Sequence, residues 1–522
     1  MKPMSKREKI GTFLLDLLDY IFLLIIGFTL FLSLQNNKLR LENIHEYVFT
    51  AVLVVILIIS SLCFSKKIRI KTKETVISFF RKVYSKITVL TIILFVSVVI
   101  FQIILLYHIT TPIGWDVGSI FRGVINLPEN PNRLNNYLSV NPNNSFFAFS
   151  MFLITQVLNR LSPSGSFGET WLAWQLFNTF LLDVGFVLIF LAGKKLFNRE
   201  IAYISFYLSF IPLSLSPWIL VPYTDVIMIP VIGFIFYMYA LLKSEDASLI
   251  WRVVLSSAIG ILTGVSFLLK PSSVIFLIAW FLIEVLKVIT WKKYSLINSK
   301  VILVVLFISS FVGTIEVYNI FESNQQLITI EEERAKPWLH FVNMGLTGDG
   351  GWNIEDTHAV RDLPDQESKR EYSRTEIINR LQDHGVFGYP QFLAEKHRNN
   401  SDRGDFGWGF DGVQQKPEDP PINYFATMMR DTYYQASGKT DNIRFFMQIF
   451  WVITLIGLLF TYNKNDRKLF TKILKLGILG AFLYLLLFEG GRSRYLIQYL
   501  PMFYILSAYG WSNRLTRWLN DK

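Results

Sequence analysis

The chain has a single cysteine, Cys63, and few charged residues for its length. One cysteine cannot form an intramolecular disulfide or a cysteine-based metal site, so neither can define this fold. Only 17% of the 522 residues are charged, whereas 52% are hydrophobic and 16% are aromatic. A soluble chain of this length would be expected to divide into domains with polar surfaces. The shortage of charge therefore excludes an ordinary soluble protein.

Common nucleotide-binding and hydrolase motifs are also missing. The sequence has no Walker-type phosphate loop, no GxSxG elbow and no evident internal repeat. Residues 407–412, GWGFDG, match GxGxxG, but they follow no predicted strand and open no predicted helix. The net charge of +11 comes from short basic segments between apolar runs rather than from one patch. Nucleic-acid binding is therefore not expected.

Long apolar runs recur from one end of the chain to the other. This pattern is typical of a polytopic membrane protein. The first run is too long for a signal peptide and lacks a small-residue cleavage site, so we interpret it as a spanning helix. We predict an all-α fold with about twelve transmembrane helices, at residues 12–34, 47–65, 87–108, 171–192, 201–219, 225–242, 252–269, 272–289, 301–320, 445–462, 469–488 and 495–512.

The basic segments predict the topology. By the positive-inside rule they are cytoplasmic, together with both termini. This assignment holds only if the apolar run 145–161 does not span, so we predict a re-entrant or juxtamembrane helix there. Residues 321–443 hold 21 acidic and 13 basic residues, which suits the outer side. The basic segments lie near residues 2–9, 66–86, 194–199, 287–300, 464–468 and 514–522.

Four parts follow from this topology. Residues 1–85 form an N-terminal two-helix extension with a basic cytoplasmic loop, and residues 86–320 form a transmembrane core with an outer loop at 109–145. Residues 321–444 form a large extracytoplasmic loop of mixed structure, and residues 445–522 add the last helices. Trp352 and Trp408 in the large loop could stack on sugars, or simply pack the loop. Its four histidines lack the close spacing of a zinc site, so we predict no metal there.

Polar residues at four predicted outer junctions indicate a functional site. A charge at a helix end is often only a snorkelling anchor, but the junctions converge on one membrane face. An outward carboxylate beside cations at a lipid surface suits a lipid-phosphate leaving group, because Arg and Lys neutralise phosphate while the carboxylate accepts a proton. The junctions carry Asp116, then Asp225, then Lys270, and finally Glu489, Arg492 and Arg494.

Six elements occur in this order in the sequence: GWDVGSIFRGV, the Tyr-x3-Asn-Pro-Asn-Asn element, PYTD, LLKPSSVIFLIA, NMGLTGDGGWNIED and EGGRSRYLIQYLP. Together they resemble the GT-C superfamily of polytopic glycosyltransferases. The similarity is to the bacterial branch related to protein O-mannosyltransferases and lipid A aminoarabinose transferases, in which Tyr-Pro-Asn-Asn is typical. This chain departs from that pattern because Asn141 replaces the tyrosine before Pro142, and because two predicted spans precede the helix that leads into the catalytic loop.

The resemblance implies a polyprenyl-phosphate sugar donor, a cell-envelope acceptor and inverting transfer at the outer face of the plasma membrane. It implies that Asp116 is the catalytic base and that the donor phosphate is bound by Arg492, Arg494 and Lys270. The predicted substrate pocket contains Arg122, Tyr137, Asn143, Asn144, Tyr223, Asp225, Asp349 and Glu489. Arg122 would lie on a different helical face from Asp116. No DxD motif lies near Asp116, so we expect no metal or other cofactor.

Two other functions stay open. A flippase or transporter for lipid-linked saccharides would also need many helices and outward cations, but it favours two related halves with polar residues at mid-membrane. A membrane scaffold that presents the large loop would tolerate replacement of Asp116. The sequence leaves the identity of the sugar and of the acceptor open.

Overall fold

The computed structural model describes residues 5–39, 84–127, 129–245, 247–290, 298–408, 419–434, 439–462 and 468–520. The predicted span at 47–65, with Cys63 and most of the basic segment that follows it, lies outside these ranges. So does most of the GWGFDG segment. The described residues form helices joined by turns, with no β-strand among them. The all-α prediction is confirmed for this part of the chain.

Eighteen α-helices are defined in the described ranges. The first nine are α1 (Lys6–Leu34), α2 (Ile87–Ile109), α3 (Trp115–Ile125), α4 (Asn132–Val140), α5 (Ser145–Leu161), α6 (Trp171–Leu196), α7 (Arg199–Leu213), α8 (Thr224–Leu242) and α9 (Leu249–Leu269). The others are α10 (Ile275–Thr290), α11 (Asn298–Asn324), α12 (Trp338–Met344), α13 (Ile354–Arg361), α14 (Gln366–Ser401), α15 (Tyr424–Tyr433), α16 (Thr440–Leu459), α17 (Leu469–Leu487) and α18 (Leu500–Asn520).

Within the described ranges, nine helices are long and apolar enough to cross a membrane. They correspond to nine of the twelve predicted spans. They are Lys6–Leu34, Ile87–Ile109, Trp171–Leu196, Thr224–Leu242, Leu249–Leu269, Pro271–Val288, Val301–Asn324, Thr440–Leu459 and Leu469–Leu487.

Two of the remaining predicted spans form shorter or interrupted elements. The run at 201–219 is the helix Arg199–Leu213 followed by a 3₁₀ turn at Pro217–Leu220, because prolines at 212 and 217 cannot donate the backbone hydrogen bonds of a continuous helix. The run at 495–512 begins with the 3₁₀ segment Ser493–Tyr499 and becomes α-helical only at Leu500. Both elements are largely buried.

The apolar run at 145–161 forms α5 with the predicted bounds. Its 17 residues make it shorter than any of the nine candidate spans. Phe147 and Met151 are buried against the core, whereas Leu153 and Leu161 are exposed. A short helix with one packed face and one exposed apolar face suits a position at the membrane interface.

The helices pack into one bundle whose core is continuous. α6 lies between α7 and α8, α9 packs on α11, and α18 packs on both α7 and α16. α16 and α18 cross closely, since a Cβ on Gly510 would collide with the carbonyl oxygen of Gly457. Small residues at such crossings let membrane helices approach each other.

The polar segment between α11 and α16 contains α12 to α15. The longest of these helices, α14, runs from Gln366 to Ser401 and is kinked at Gly385, where φ is 61°. The second half of α14 packs on α1 and α17. There the His397 ring bonds to Thr29 Oγ1 over 2.8 Å, so this segment is attached directly to the helical bundle.

Candidate functional site

Asp116 lies in the first turn of α3, immediately after a strained residue. Trp115 has a φ of 43°, in the left-handed region that residues with side chains rarely adopt. Strain of this kind is found most often at functional sites, where the surrounding structure holds it in place. The N-terminal position also gives the Asp116 carboxylate the favourable end of the helix dipole.

Two tyrosines and an asparagine surround Asp116. The Tyr137 hydroxyl donates to Asp116 Oδ1 over 2.8 Å and accepts from Asn144 Nδ2 over 2.8 Å. The Tyr223 hydroxyl lies 3.4 Å from Asp116 Oδ2 and 3.2 Å from Asn144 Oδ1. Burial, with the neighbouring Asp116 carboxylate, raises the pKa of Tyr137 well above its ordinary value. Tyr137 therefore stays protonated and orients the carboxylate as a hydrogen-bond donor.

A buried group of three charges lies beside this ring. Asp225, 1% exposed, begins α8 and forms an ion pair with Lys270 Nζ through one carboxylate oxygen. Its other oxygen lies 3.6 Å from Arg494 Nε. Lys270 ends α9 and Arg494 lies in the 3₁₀ segment Ser493–Tyr499, so three elements meet here. One carboxylate between two cations leaves the group, which we call the Asp225 triad, with a net charge of +1.

Aromatic rings connect the Asp225 triad to Asp116. The Arg494 guanidinium carbon lies 4.3 Å from the centre of the Trp115 ring, and the Trp115 and Tyr223 rings meet edge to face at 5.3 Å. Lys270 Nζ lies 5.2 Å from the Tyr495 ring centre. The Tyr495 hydroxyl donates to Glu489 over 2.8 Å. The Arg494–Trp115 contact thus places the cationic group next to the residue that precedes Asp116.

Arg492 and Asp349 lie at a close crossing of two glycine-rich turns. Gly490 N donates to Gly350 O over 2.8 Å, and a Cβ on Gly491, where φ is 66°, would collide with the Asp349 carbonyl oxygen. Arg492 N donates to Asn400 Oδ1 over 3.3 Å. The crossing carries the Arg492 backbone on one turn and the exposed Asp349 side chain on the other.

Lys396 forms hydrogen bonds to both chain segments that lead into this crossing. The side chain is 1% exposed, and its ammonium donates to the carbonyl oxygens of Gly345, Leu486 and Phe488 over 2.6, 3.0 and 2.7 Å. The last two carbonyls belong to the C-terminal end of α17, which lacks helical partners for them. Burial lowers the pKa of Lys396 to about 8.

In the described part of the chain, the side chains of two predicted pocket residues make no hydrogen bond or ion pair with these groups. The Asn143 side chain is exposed. Arg122 folds back along α3, so that a Cβ on Gly118 would lie 3.3 Å from its terminal nitrogens. Burial and the nearby charge of Arg133 lower its pKa. Within the described residues Arg122 forms no ion pair with Asp116, as the separation of their helical faces predicts.

Sequence reasoning missed three residues of the site. Trp115 lies in the element GWDVGSIFRGV and Tyr495 lies in EGGRSRYLIQYLP, but neither residue was assigned a role. Lys336, whose Nζ donates to Asn141 Oδ1 over 3.2 Å, lies in a polar segment with no motif around it. The one related signal in the sequence is that Asn141, the partner of Lys336, replaces the tyrosine of the Tyr-Pro-Asn-Asn pattern.

In the described part of the chain, no three His, Cys, Asp or Glu side chains come close enough to share a metal ion. Asp116 and Asp225 are each engaged with protein donors, through tyrosine hydroxyls in one case and through Lys270 and Arg494 in the other. The described residues thus place a hydrogen-bonded carboxylate next to a cationic group.

The profile of one protein family matches residues 12–515, and its members are described as conserved hypothetical integral membrane proteins. The chain belongs to this family. No curated protein matches this integral membrane protein. Among solved structures it is similar to the archaeal oligosaccharyltransferase AglB from Archaeoglobus fulgidus, determined with an inhibitory peptide and a dolichol-phosphate. The TM-score is 0.37 and the identity is 12%, over 82% of this chain and 51% of that structure. This chain spans about half the length of AglB.

Proposed function

We propose that this integral membrane protein is a glycosyltransferase. It moves a monosaccharide from a polyprenyl-phosphate carrier to a hydroxyl of a cell-envelope acceptor, with inversion at the anomeric carbon. The observation that carries the proposal is that ring contacts connect the Asp116 carboxylate to the cationic Asp225 triad, because Tyr223 bonds to Asp116 and Trp115 contacts both Tyr223 and Arg494. A base next to an anion-binding group is what transfer from a phosphate leaving group requires.

In the proposed reaction, Asp116 accepts the proton of the acceptor hydroxyl as its oxygen attacks the anomeric carbon. The bond between that carbon and the phosphate oxygen breaks, and the phosphate departs with the electron pair. Lys270 and Arg494 stabilise the negative charge that develops on it. Tyr137 and Tyr223 donate to the Asp116 oxygens and hold the carboxylate in one orientation. The Tyr495–Glu489 bond fixes the ring over which Lys270 lies.

The direction of the helices supports an extracytoplasmic site. Asp225 begins α8 and Lys270 ends α9, so both lie at the same end of the bundle. Lys194 and Lys195 end α6, whose first turns contact the site end through Gln175, and Lys468 precedes α17. These basic residues therefore lie at the opposite end from Asp116. By the positive-inside rule that end is cytoplasmic, and the site faces outward at the plasma membrane.

The test is transfer activity in membranes that contain equal amounts of the wild type or Asp116→Asn. Labelled polyprenyl-phosphate monosaccharides are supplied with envelope acceptors, and donor binding is measured separately. Asn keeps the shape of the side chain but cannot accept the proton, so we expect a loss of transfer of 10²-fold or more with donor binding retained, on the order of general-base effects. Equal transfer by the variant would refute the assignment of Asp116.

The same assay separates the proposal from transport. Membrane vesicles are loaded with labelled lipid-linked sugar on one side and monitored for its appearance on the other. Movement of intact labelled lipid, without transfer to any acceptor, would establish a flippase and refute the transferase. Arg160→Gln is a suitable control, because this residue lies in the last turn of α5, far from the described site contacts.

A further inference from the structure

The segment between α11 and α12, residues 325–336, runs along α4, and we call it the strap. Thr329 N donates to Asn135 Oδ1 over 3.1 Å, and Glu331 N donates to Ser139 Oγ over 2.9 Å. Arg334 donates to Asn136 Oδ1 over 3.0 Å. Successive polar side chains of α4 thus bind the strap along its length.

The strap ends at the site. Lys336 N donates to the Val140 carbonyl oxygen over 3.3 Å, and Lys336 Nζ donates to Asn141 Oδ1 over 3.2 Å. Asn141 Nδ2 in turn donates to the Tyr137 carbonyl oxygen over 3.3 Å. Lys336 is therefore fixed to the same turn that supplies Tyr137 and Asn144 to Asp116. It is held there by the residue at which the sequence departs from Tyr-Pro-Asn-Asn.

The Lys336 ammonium is a charged group that the described protein does not neutralise. The charges of Asp116 and Glu489 act on this ammonium, but no carboxylate of the described residues forms an ion pair with it. Among the described residues the Lys336 ammonium makes one hydrogen bond, to Asn141, although an ammonium can donate three. Burial lowers the pKa of Lys336, and the two neighbouring carboxylates act in the opposite direction. An anion bound at this position would offset the cost of burying the charge.

Lys336 and the cations of the Asp225 triad are carried by different kinds of element. Lys270 lies at the end of α9 and Arg494 lies in the 3₁₀ segment before α18, which is where we place the donor phosphate. Lys336 approaches from the strap, which lies outside the nine candidate spans. A group bound by Lys336 therefore meets Asp116 from the extramembrane side, which is the side of the acceptor.

We propose that Lys336 binds an oxyanion of the acceptor, next to the hydroxyl that Asp116 deprotonates, and that Asn141 positions Lys336. The acceptor class is then an anionic polyol whose oxyanion lies next to the accepting hydroxyl, and phosphate, in a polymer or in a lipid headgroup, is the oxyanion that the experiment tests. This inference rests on the proposed transferase function. It adds to that function a specificity-determining residue and a substrate class.

The experiment compares three acceptors at saturating donor: an oligo(glycerol phosphate), phosphatidylglycerol in vesicles, and a neutral glycerol oligomer of matched length. The variants are Lys336→Gln, Lys336→Arg and Asn141→Ala. Lys439→Gln is the control, because Lys439 is an exposed lysine paired with Asp431. Thermal unfolding of each purified variant establishes that it is folded.

We expect Lys336→Gln to raise KM for the phosphate-bearing acceptors about 10- to 100-fold, as for loss of a hydrogen bond between charged groups. The KM for donor and for the neutral oligomer should change less than about 2-fold. Lys336→Arg should restore most of the wild-type KM for the phosphate-bearing acceptors. Asn141→Ala should raise this KM by a smaller factor, and the double variant with Lys336→Gln should show no further increase. A preference for the polymer or for the vesicles identifies the source of the phosphate.

Three results would overturn the inference: a higher KM for the donor, equal effects on charged and neutral acceptors, or no effect of Lys336→Gln. Equilibrium binding of oligo(glycerol phosphate) to the solubilised wild type and Lys336→Gln is measured in parallel without donor. Wild-type protein that binds this probe through Lys336 but transfers no sugar would refute the transferase and retain the anion site. Transfer with equal probe binding in both proteins would refute the anion site alone.

Discussion

The Arg494 guanidinium lies 4.3 Å from the centre of the Trp115 ring, in cation–π geometry. Trp115 precedes Asp116, and Arg494 contacts Asp225, so this single contact joins the carboxylate side of the site to its cationic side. The two residues are separated by most of the chain. The strained φ of 43° at Trp115 is the backbone conformation that holds the ring at this position.

The Tyr137 hydroxyl can be tested by Tyr137→Phe. The change removes the 2.8 Å donor to Asp116 and leaves the ring. We expect kcat/KM for transfer to fall about 10- to 100-fold, since a hydrogen bond to a charged group contributes about 1.5–3 kcal/mol. Donor binding should be unchanged. The control is Tyr433→Phe, which removes a buried hydroxyl bonded to the Leu215 carbonyl oxygen outside the site. Equal losses in both variants would contradict a specific role for Tyr137.

Asp225 is expected to be essential for stability. Asp225→Asn removes the carboxylate charge that Lys270 and Arg494 share, and breaking a buried ion pair costs about 3–5 kcal/mol. Unfolding in detergent measures this cost. The double variant Asp225→Asn with Lys270→Gln should recover part of it. Glu395→Gln, which removes the exposed partner of Arg398, should cost less than about 1 kcal/mol. If Asp225→Asn also lowered the free energy of unfolding by less than about 1 kcal/mol, the Asp225 triad would not be a buried charge group.

The glycine crossing predicts a sharp effect of Gly491→Ala. A side chain at this left-handed residue would collide with the Asp349 carbonyl oxygen and add backbone strain. We expect the free energy of unfolding to fall by about 2 kcal/mol or more, together with transfer activity. Gly388→Ala is the matched control, because a Cβ there meets nothing within 4 Å. If both variants are equally stable, the two turns do not cross as described.

Lys396 predicts a pH dependence of stability. Its pKa in the folded protein is about 8, below the ordinary lysine value of about 10.4. Between these values the unfolded chain binds a proton that the folded protein has lost, so the free energy of unfolding rises with pH across this window. Relative to Lys396→Met, the wild type should gain roughly 2–3 kcal/mol from pH 8 to pH 10.4. Denaturant unfolding in detergent at several pH values measures the difference, and parallel profiles would contradict it.

Much of the architecture was predictable because membrane insertion depends on local composition. The nine candidate spans coincide with predicted runs, and α5 has the predicted bounds. The runs at 201–219 and 495–512 were predicted as whole spans, but prolines and a 3₁₀ segment interrupt or shorten them. Hydropathy averages over a window and does not register a missing backbone donor at one residue.

The site was predictable in part. Asp116, Asp225, Lys270 and Arg494 were found because charges beside apolar runs are rare and costly. Lys336 was not found, because a lysine in a polar loop carries no signal of its own and becomes part of the site only through Asn141.

The amino-acid sequence by itself determined that this is an integral membrane protein, helical throughout its described residues, since apolar length and the distribution of charge act segment by segment. It also determined which charged residues lie at helix ends. Only the tertiary structure decided that Asp225 holds both Lys270 and Arg494, that Tyr137 and Tyr223 converge on Asp116, and that the strap carries Lys336 to them. These contacts join residues tens to hundreds of positions apart, and their geometry depends on how the helices pack rather than on any local pattern.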